Sequence, residues 1–196
     1  MSYFKDLKTA KKKEEILRSA SAVLAEKGYQ GTTMEEIASK LLMTKGSMYY
    51  YFKNKNELLY SCHLMIMEMS LNQISEIISS NAKPQEKLRL AIKGHILLAT
   101  NEKSMFKVMD KPYQNFSDKQ LQEVLELRKR YSSYFDSILQ EGIKQDEFGK
   151  INVKIARMII LGAINDVQEW YKQEGTQSRE EIATIYADYL LKIVLS

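Results

Sequence analysis

Residues 32–59 read T-T-M-E-E-I-A-S-K-L-L-M-T-K-G-S-M-Y-Y-Y-F-K-N-K-N-E-L-L, and this stretch decides the fold. Thr33 with Glu36 has the capping-box pattern, in which a hydroxyl accepts from a first-turn amide and a carboxylate reaches back. Met34, Ile37, Ala38 and Leu41 follow at helical spacing, which predicts a short helix over 34–41. Thr44 is the next cap. It opens a helix over 45–52, whose apolar positions Met48 and Phe52 stand four apart and face inward. Lys45, Gly46, Ser47, Tyr49 and Tyr50 are left on the outer side, too hydroxyl-rich and aromatic for ordinary core. Such a helix suits a DNA groove, where Gly46 lets the backbone approach closely and Ser47 reaches a phosphate or base edge. Asn54 with Glu57 repeats the capping-box pattern and puts Lys55 in the first turn of the next helix. There an ammonium and free amides can share one phosphate.

Charge is unevenly placed. Residues 1–58 carry 11 Lys+Arg against 7 Asp+Glu, whereas 59–196 carry 18 against 18, so the whole net charge of +4 lies in the first third. That is the footprint of a polyanion partner. The Lys11, Lys12, Lys13 run reads either as a solvated face or as a further phosphate contact. Two prolines and eight glycines among many Leu, Ile, Lys and Glu predict an all-α protein. A lone Cys62 excludes an internal disulfide and fits a reducing cytoplasm. No apolar leader and no uncharged window of eighteen apolar residues is found, so the expectation is a soluble, cytoplasmic protein without a membrane partner.

Outside 32–59, periodicity predicts a first helix over 11–27, with Ile16, Leu17, Ala20, Val23 and Leu24 on one face and Gly28 as its stop. A long helix follows over 55–80, then helices over 85–100, 104–109, 117–145, 153–172 and 179–194. Residues 1–54 thus form a three-helix unit, and 55–196 a second helical domain.

With these residues in view, the chain resembles the DNA-binding domain of the tetracycline-repressor (TetR) family of bacterial transcription regulators. The resemblance is carried by G-Y-Q-G-T-T-M-E-E-I-A at 28–38 and T-K-G-S-M-Y-Y-Y-F-K-N-K-N-E-L-L at 44–59. It implies phosphate contacts from Thr33, Thr44, Tyr50 and Lys55, with Lys45, Gly46, Ser47 and Tyr49 nearest the bases. One departure stands out. Where the family usually has Gly between the two short helices, this chain has Leu42, and a left-handed backbone there costs a non-glycine residue about 1–2 kcal/mol.

The penultimate helix is apolar nearly all round, through Ile155, Met158, Ile159, Ile160, Leu161, Ala163, Ile164 and Val167. The last carries Ile182, Ile185, Tyr186, Tyr189, Leu190 and Ile193. Together they fit a two-fold four-helix interface, the family's mode of dimerisation; the plainer alternative buries both faces within one copy. The middle helices hold Met105, Phe106, Met109, Tyr113, Tyr131, Tyr134 and Trp170, deformable and aromatic groups suited to an apolar pocket or simply to core. Asn165 is a polar candidate on an apolar helix. The runs at 127–152 and 160–171 resemble the ligand domain of TetR regulators that respond to acyl-coenzyme A, which brings Arg157 and Trp170 to the coenzyme A end.

The expected function is therefore a ligand-responsive repressor. It binds a pseudo-palindromic double-stranded DNA operator as a homodimer through the last two helices and is released by a small apolar or acyl-coenzyme A effector. The rival is a helical DNA-binding or interaction module without an effector. No paired histidines, cysteine cluster, P-loop or nucleophile elbow is present, so no catalytic residue, metal site or cofactor is expected. His63 and His95 read as packed or surface histidines.

Overall fold

The computed structural model describes residues 2–109 and 115–195, with side chains from Leu7 onward. Among the described residues the chain is entirely helical: α1 Ser2–Lys27, α2 Met34–Lys40, α3 Lys45–Tyr51, α4 Lys55–Ser79, α5 Pro84–Asn101, α6 Lys103–Val108, α7 Asp118–Lys144, α8 Val153–Trp170 and α9 Arg179–Leu191. Every helix expected from periodicity is present, with ends moved by a few residues. The exception is α1, which starts nine residues before Lys11. Residues 2–10 lack an apolar stripe, yet they contain no Gly or Pro, so nothing interrupts the helix.

Two compact units result, Met1–Ile66 with Ser104–Val124, and Met67–Lys103 with Leu125–Ser196. The division falls inside α4. In the first unit the α1 face Ile16, Leu17, Ala20, Val23 and Leu24 is buried as its spacing requires, together with Ile37 and Ala38 of α2 and Met48 of α3. Gly28 ends α1 at φ +73°, a conformation open to a residue without Cβ. Cys62 is buried with its Sγ 3.6 Å from the Leu17 carbonyl, and burial pushes its thiol up to about 12, so it is an inert part of the core. His63 is packed edge-on against Phe116, with 4.8 Å between ring centres.

The second unit is built around α5, which packs on α8 and α9. Leu88, Ile92 and Ile96 of α5 join Phe135, Ile138, Ile160, Ile164, Ala183 and Ala187 in one core. Between α7 and α8 the chain folds back so that Glu147 and Phe148 both donate to the Gly142 carbonyl, at 2.9 and 3.1 Å. A Cβ on Gly142 would overlap the Phe148 ring, so the glycine is required by packing. A full capping box, Ser178 with Glu181, starts α9.

Candidate nucleic-acid interface

The first cap forms as read, and its carboxylate does more. The Glu36 N–H donates to Thr33 Oγ1 at 3.2 Å, while the Glu36 carboxylate turns chiefly to the Lys27 ammonium and secondarily to the Thr33 backbone. That ion pair holds the Glu36 carboxyl below the ordinary range and ties α2 to the end of α1. After α2 the chain turns through Leu42 at φ +53°, with the Met43 N–H on the Ala38 carbonyl at 2.9 Å. Leu42 is 97% exposed, so no packing offsets its left-handed backbone.

This turn delivers α3. Thr44 Oγ1 accepts from the Ser47 N–H at 3.1 Å, Met48 is fully buried, and Phe52 closes the helix into the core. Thr33, Thr44, Lys45, Gly46, Ser47, Tyr49 and Tyr50 are all exposed, Tyr50 to 74%. Around Gly46 the nearest atom to an added Cβ would be Thr44 Oγ1 at 4.0 Å, so the fold itself does not demand glycine there. Lys45 is engaged: its ammonium lies 2.5 Å from Glu35 Oε1 and 5.8 Å from the Tyr49 ring centre. The pairing raises the Lys45 pKa and lowers that of Glu35.

Lys55 has a role that spacing does not reveal. Its Nζ donates to the carbonyls of Tyr29 at 2.5 Å and Thr32 at 2.6 Å, and sits 4.2 Å over the Tyr29 ring centre. Two of its three N–H donors thus pin the loop before α2 to the start of α4. Asn54 Oδ1 accepts from the Glu57 N–H at 2.8 Å, but the Glu57 carboxylate passes the cap and accepts from the Lys53 N–H, also at 2.8 Å.

The residues expected at an effector belong to both units. Met105 and Phe106 are buried and Met109 half-buried in the first unit. Tyr113 lies outside the described residues. In the second unit Tyr134 is half-buried, Arg157 Nε lies 3.2 Å from Asp136 Oδ1, and Trp170 is 44% exposed and stacked on Tyr186. Asn165 is exposed on α8, its side chain near the ring of buried His95. His95 Nδ1 in turn lies 2.9 Å from the Tyr131 hydroxyl. Reading the sequence gave His95 no functional weight, and no local spacing marks a partner 36 residues away.

An exposed, capped short helix behind a left-handed turn, on an all-helical chain, defines a helix-turn-helix protein. Residues 16–62 match the bacterial regulatory proteins of the tetR family, and residues 81–194 match the tetracyclin repressor-like C-terminal domain. The chain belongs to the TetR family, whose members are transcription regulators and not enzymes. It is 31% identical to the fatty acid metabolism regulator protein of Bacillus subtilis over 158 residues, covering 80% of this chain and 81% of that protein. The crystal structure of the TetR family regulator PfmR from Thermus thermophilus superposes with a TM-score of 0.83 at 26% identity, covering 90% of this chain and 97% of that one. The fold is shared with AibR in complex with isovaleryl coenzyme A and operator DNA, at TM-score 0.78 and 24% identity over 93% of this chain and 97% of that one. Among the described residues no helix is long and apolar enough to cross a membrane.

Proposed function

We propose that this protein is a cytoplasmic, homodimeric repressor, with residues 1–54 binding a pseudo-palindromic operator and 55–196 responsible for dimerisation and for sensing a small apolar or acyl-coenzyme A effector. The observation that carries this reading is α3 itself. A helix of seven residues buries Met48 and leaves Lys45, Gly46, Ser47, Tyr49 and Tyr50 in solvent. In this role Thr33, Thr44, Tyr50 and the remaining Lys55 donor hold phosphates, while Lys45, Gly46, Ser47 and Tyr49 lie nearest the bases.

Dimerisation is supported by the outer faces of the last two helices. Ile155, Met158 and Ile159 on α8 are 51, 57 and 47% exposed, and Tyr189 on α9 is 65% exposed. This is a concentration of apolar surface that a second copy would cover. Two copies are what a pseudo-palindromic operator requires, its half-sites lying about 34–36 Å apart. The effector class rests on the fatty acid regulator relative and on the isovaleryl coenzyme A bound by AibR. For release, the effector must bind the DNA-incompetent arrangement more tightly than the competent one. Helix α4 starts just after α3 and continues unbroken into the second unit, which makes it the natural lever.

The test is selection of bound duplexes from a random pool, followed by titration of acyl-coenzyme A thioesters into the complex. A two-fold-symmetric consensus and effector-dependent release are the expected results. Recovery of no sequence preference would overturn the operator reading, and indifference to every thioester would overturn the effector class.

A further inference from the structure

Leu42, in the turn between α2 and α3, combines two features that folding alone does not explain. Its backbone is left-handed, at φ +53°, a conformation that strains any residue with a Cβ. Its side chain is 97% exposed, so the leucine gains no packing within its own chain. The turn is held by backbone groups: the Leu42 N–H donates to the Ser39 carbonyl at 3.0 Å and the Met43 N–H to the Ala38 carbonyl at 2.9 Å. Neither bond involves the side chain, and glycine or asparagine would make the same turn with less strain. Strain of this kind, observed beside a working surface, points to function.

The position says which function. Leu42 stands two residues before Thr44, the cap of α3, and so beside the end of the helix that carries Lys45, Gly46 and Ser47 in solvent. Thr44, Lys45 and Ser47 offer hydroxyl and ammonium groups, whereas Leu42 offers only hydrocarbon. In a major groove the base edges are read as hydrogen-bonding groups, and the apolar feature among them is the C5 methyl of thymine. We propose that Leu42 packs on a thymine methyl at the edge of the site that α3 occupies, and so sets a thymine preference at one position of each half-site. This rests on the operator reading above and adds a base contact to it. The contact buries hydrocarbon on both sides and releases no counterion, so it adds affinity without adding salt dependence.

The experiment uses the consensus duplex recovered by selection, with each thymine of one half-site replaced in turn by deoxyuridine, which lacks only the methyl. The full-length protein should lose about three- to fivefold in affinity at one of these positions. Leu42→Asn keeps a residue tolerant of the left-handed turn and removes the hydrocarbon. It should bind the thymine duplex about three- to fivefold more weakly than wild type, with the same slope of log K against log salt, and show no further loss on deoxyuridine at that position. Leu42→Met, still apolar, should keep the discrimination, and melting by circular dichroism checks that both variants are folded. Indifference of the wild type to every deoxyuridine, or a discrimination that survives in Leu42→Asn, would overturn the methyl contact and leave the operator reading standing. If selection yields no consensus, the operator reading falls and this inference falls with it.

Discussion

Lys45 and Glu35 form an ion pair at 2.5 Å, between the first residue of α3 and the first turn of α2. Both groups are exposed, so the pair contributes little to folding. If α3 enters a DNA groove as proposed, the polyanionic duplex has to compete with Glu35 for the same ammonium. Lys45→Ala should weaken operator binding and reduce the slope of log K against log salt by about 0.9. Glu35→Gln should act in the opposite direction, tightening binding by about two- to fivefold at low salt. Fluorescence anisotropy over a salt series reads both, and a slope unchanged in Lys45→Ala would remove that residue from the interface.

Lys55 serves the fold. Removing its ammonium leaves the Tyr29 and Thr32 carbonyls without their charged donor, so Lys55→Ala should cost about 1–3 kcal/mol in urea unfolding. Wild-type stability in that variant would show the tie to be ornamental.

Leu42 carries backbone strain with no packing in return. Leu42→Gly relieves about 1–2 kcal/mol and loses part of it to the greater freedom of the unfolded chain, for a net gain of about 0.5–1 kcal/mol. Chemical denaturation decides this. A loss of stability would mean that the leucine side chain makes a compensating contact.

Gly142 and Phe148 allow no added atom between them. Gly142→Ala should lower stability by about 2–3 kcal/mol, since either the ring leaves the core or the turn opens. The denaturation midpoint is the measurement, with a change under half a kilocalorie as the contrary result.

His95 gives folding a pH dependence of definite sign. Its folded pKa, near 4, lies below the ordinary value of 6.5, so the unfolded chain binds the extra proton between them. Its contribution is fully present above pH 6.5 and is lost as pH falls toward 4, with a slope of up to about 1.4 kcal/mol per pH unit. His95→Gln should flatten stability across that window. An unaltered pH profile would mean that His95 titrates normally.

If α8 and α9 pair two copies, Met158→Asp should yield a monomer at micromolar concentration and abolish tight operator binding together with it. Sedimentation velocity shows the first effect. A dimeric variant would move the interface elsewhere.

The sequence by itself determined the helices around the recognition element, because each signal there is local. A hydroxyl three residues before a carboxylate, apolar residues four apart and a glycine after the last turn act within one or two helical turns. Leu42 was legible through the resemblance, since the family's usual Gly at that place implies a left-handed residue, and the structure has it at φ +53°. Only tertiary structure decided which partners the outward charges take. Lys55 reaches carbonyls 23 and 26 residues away, Lys45 turns to Glu35, and His95 meets Tyr131 and Asn165 across three helices. Periodicity tells which way a side chain faces along its own helix. What it meets there depends on how the helices cross, and that is settled by packing of the whole core.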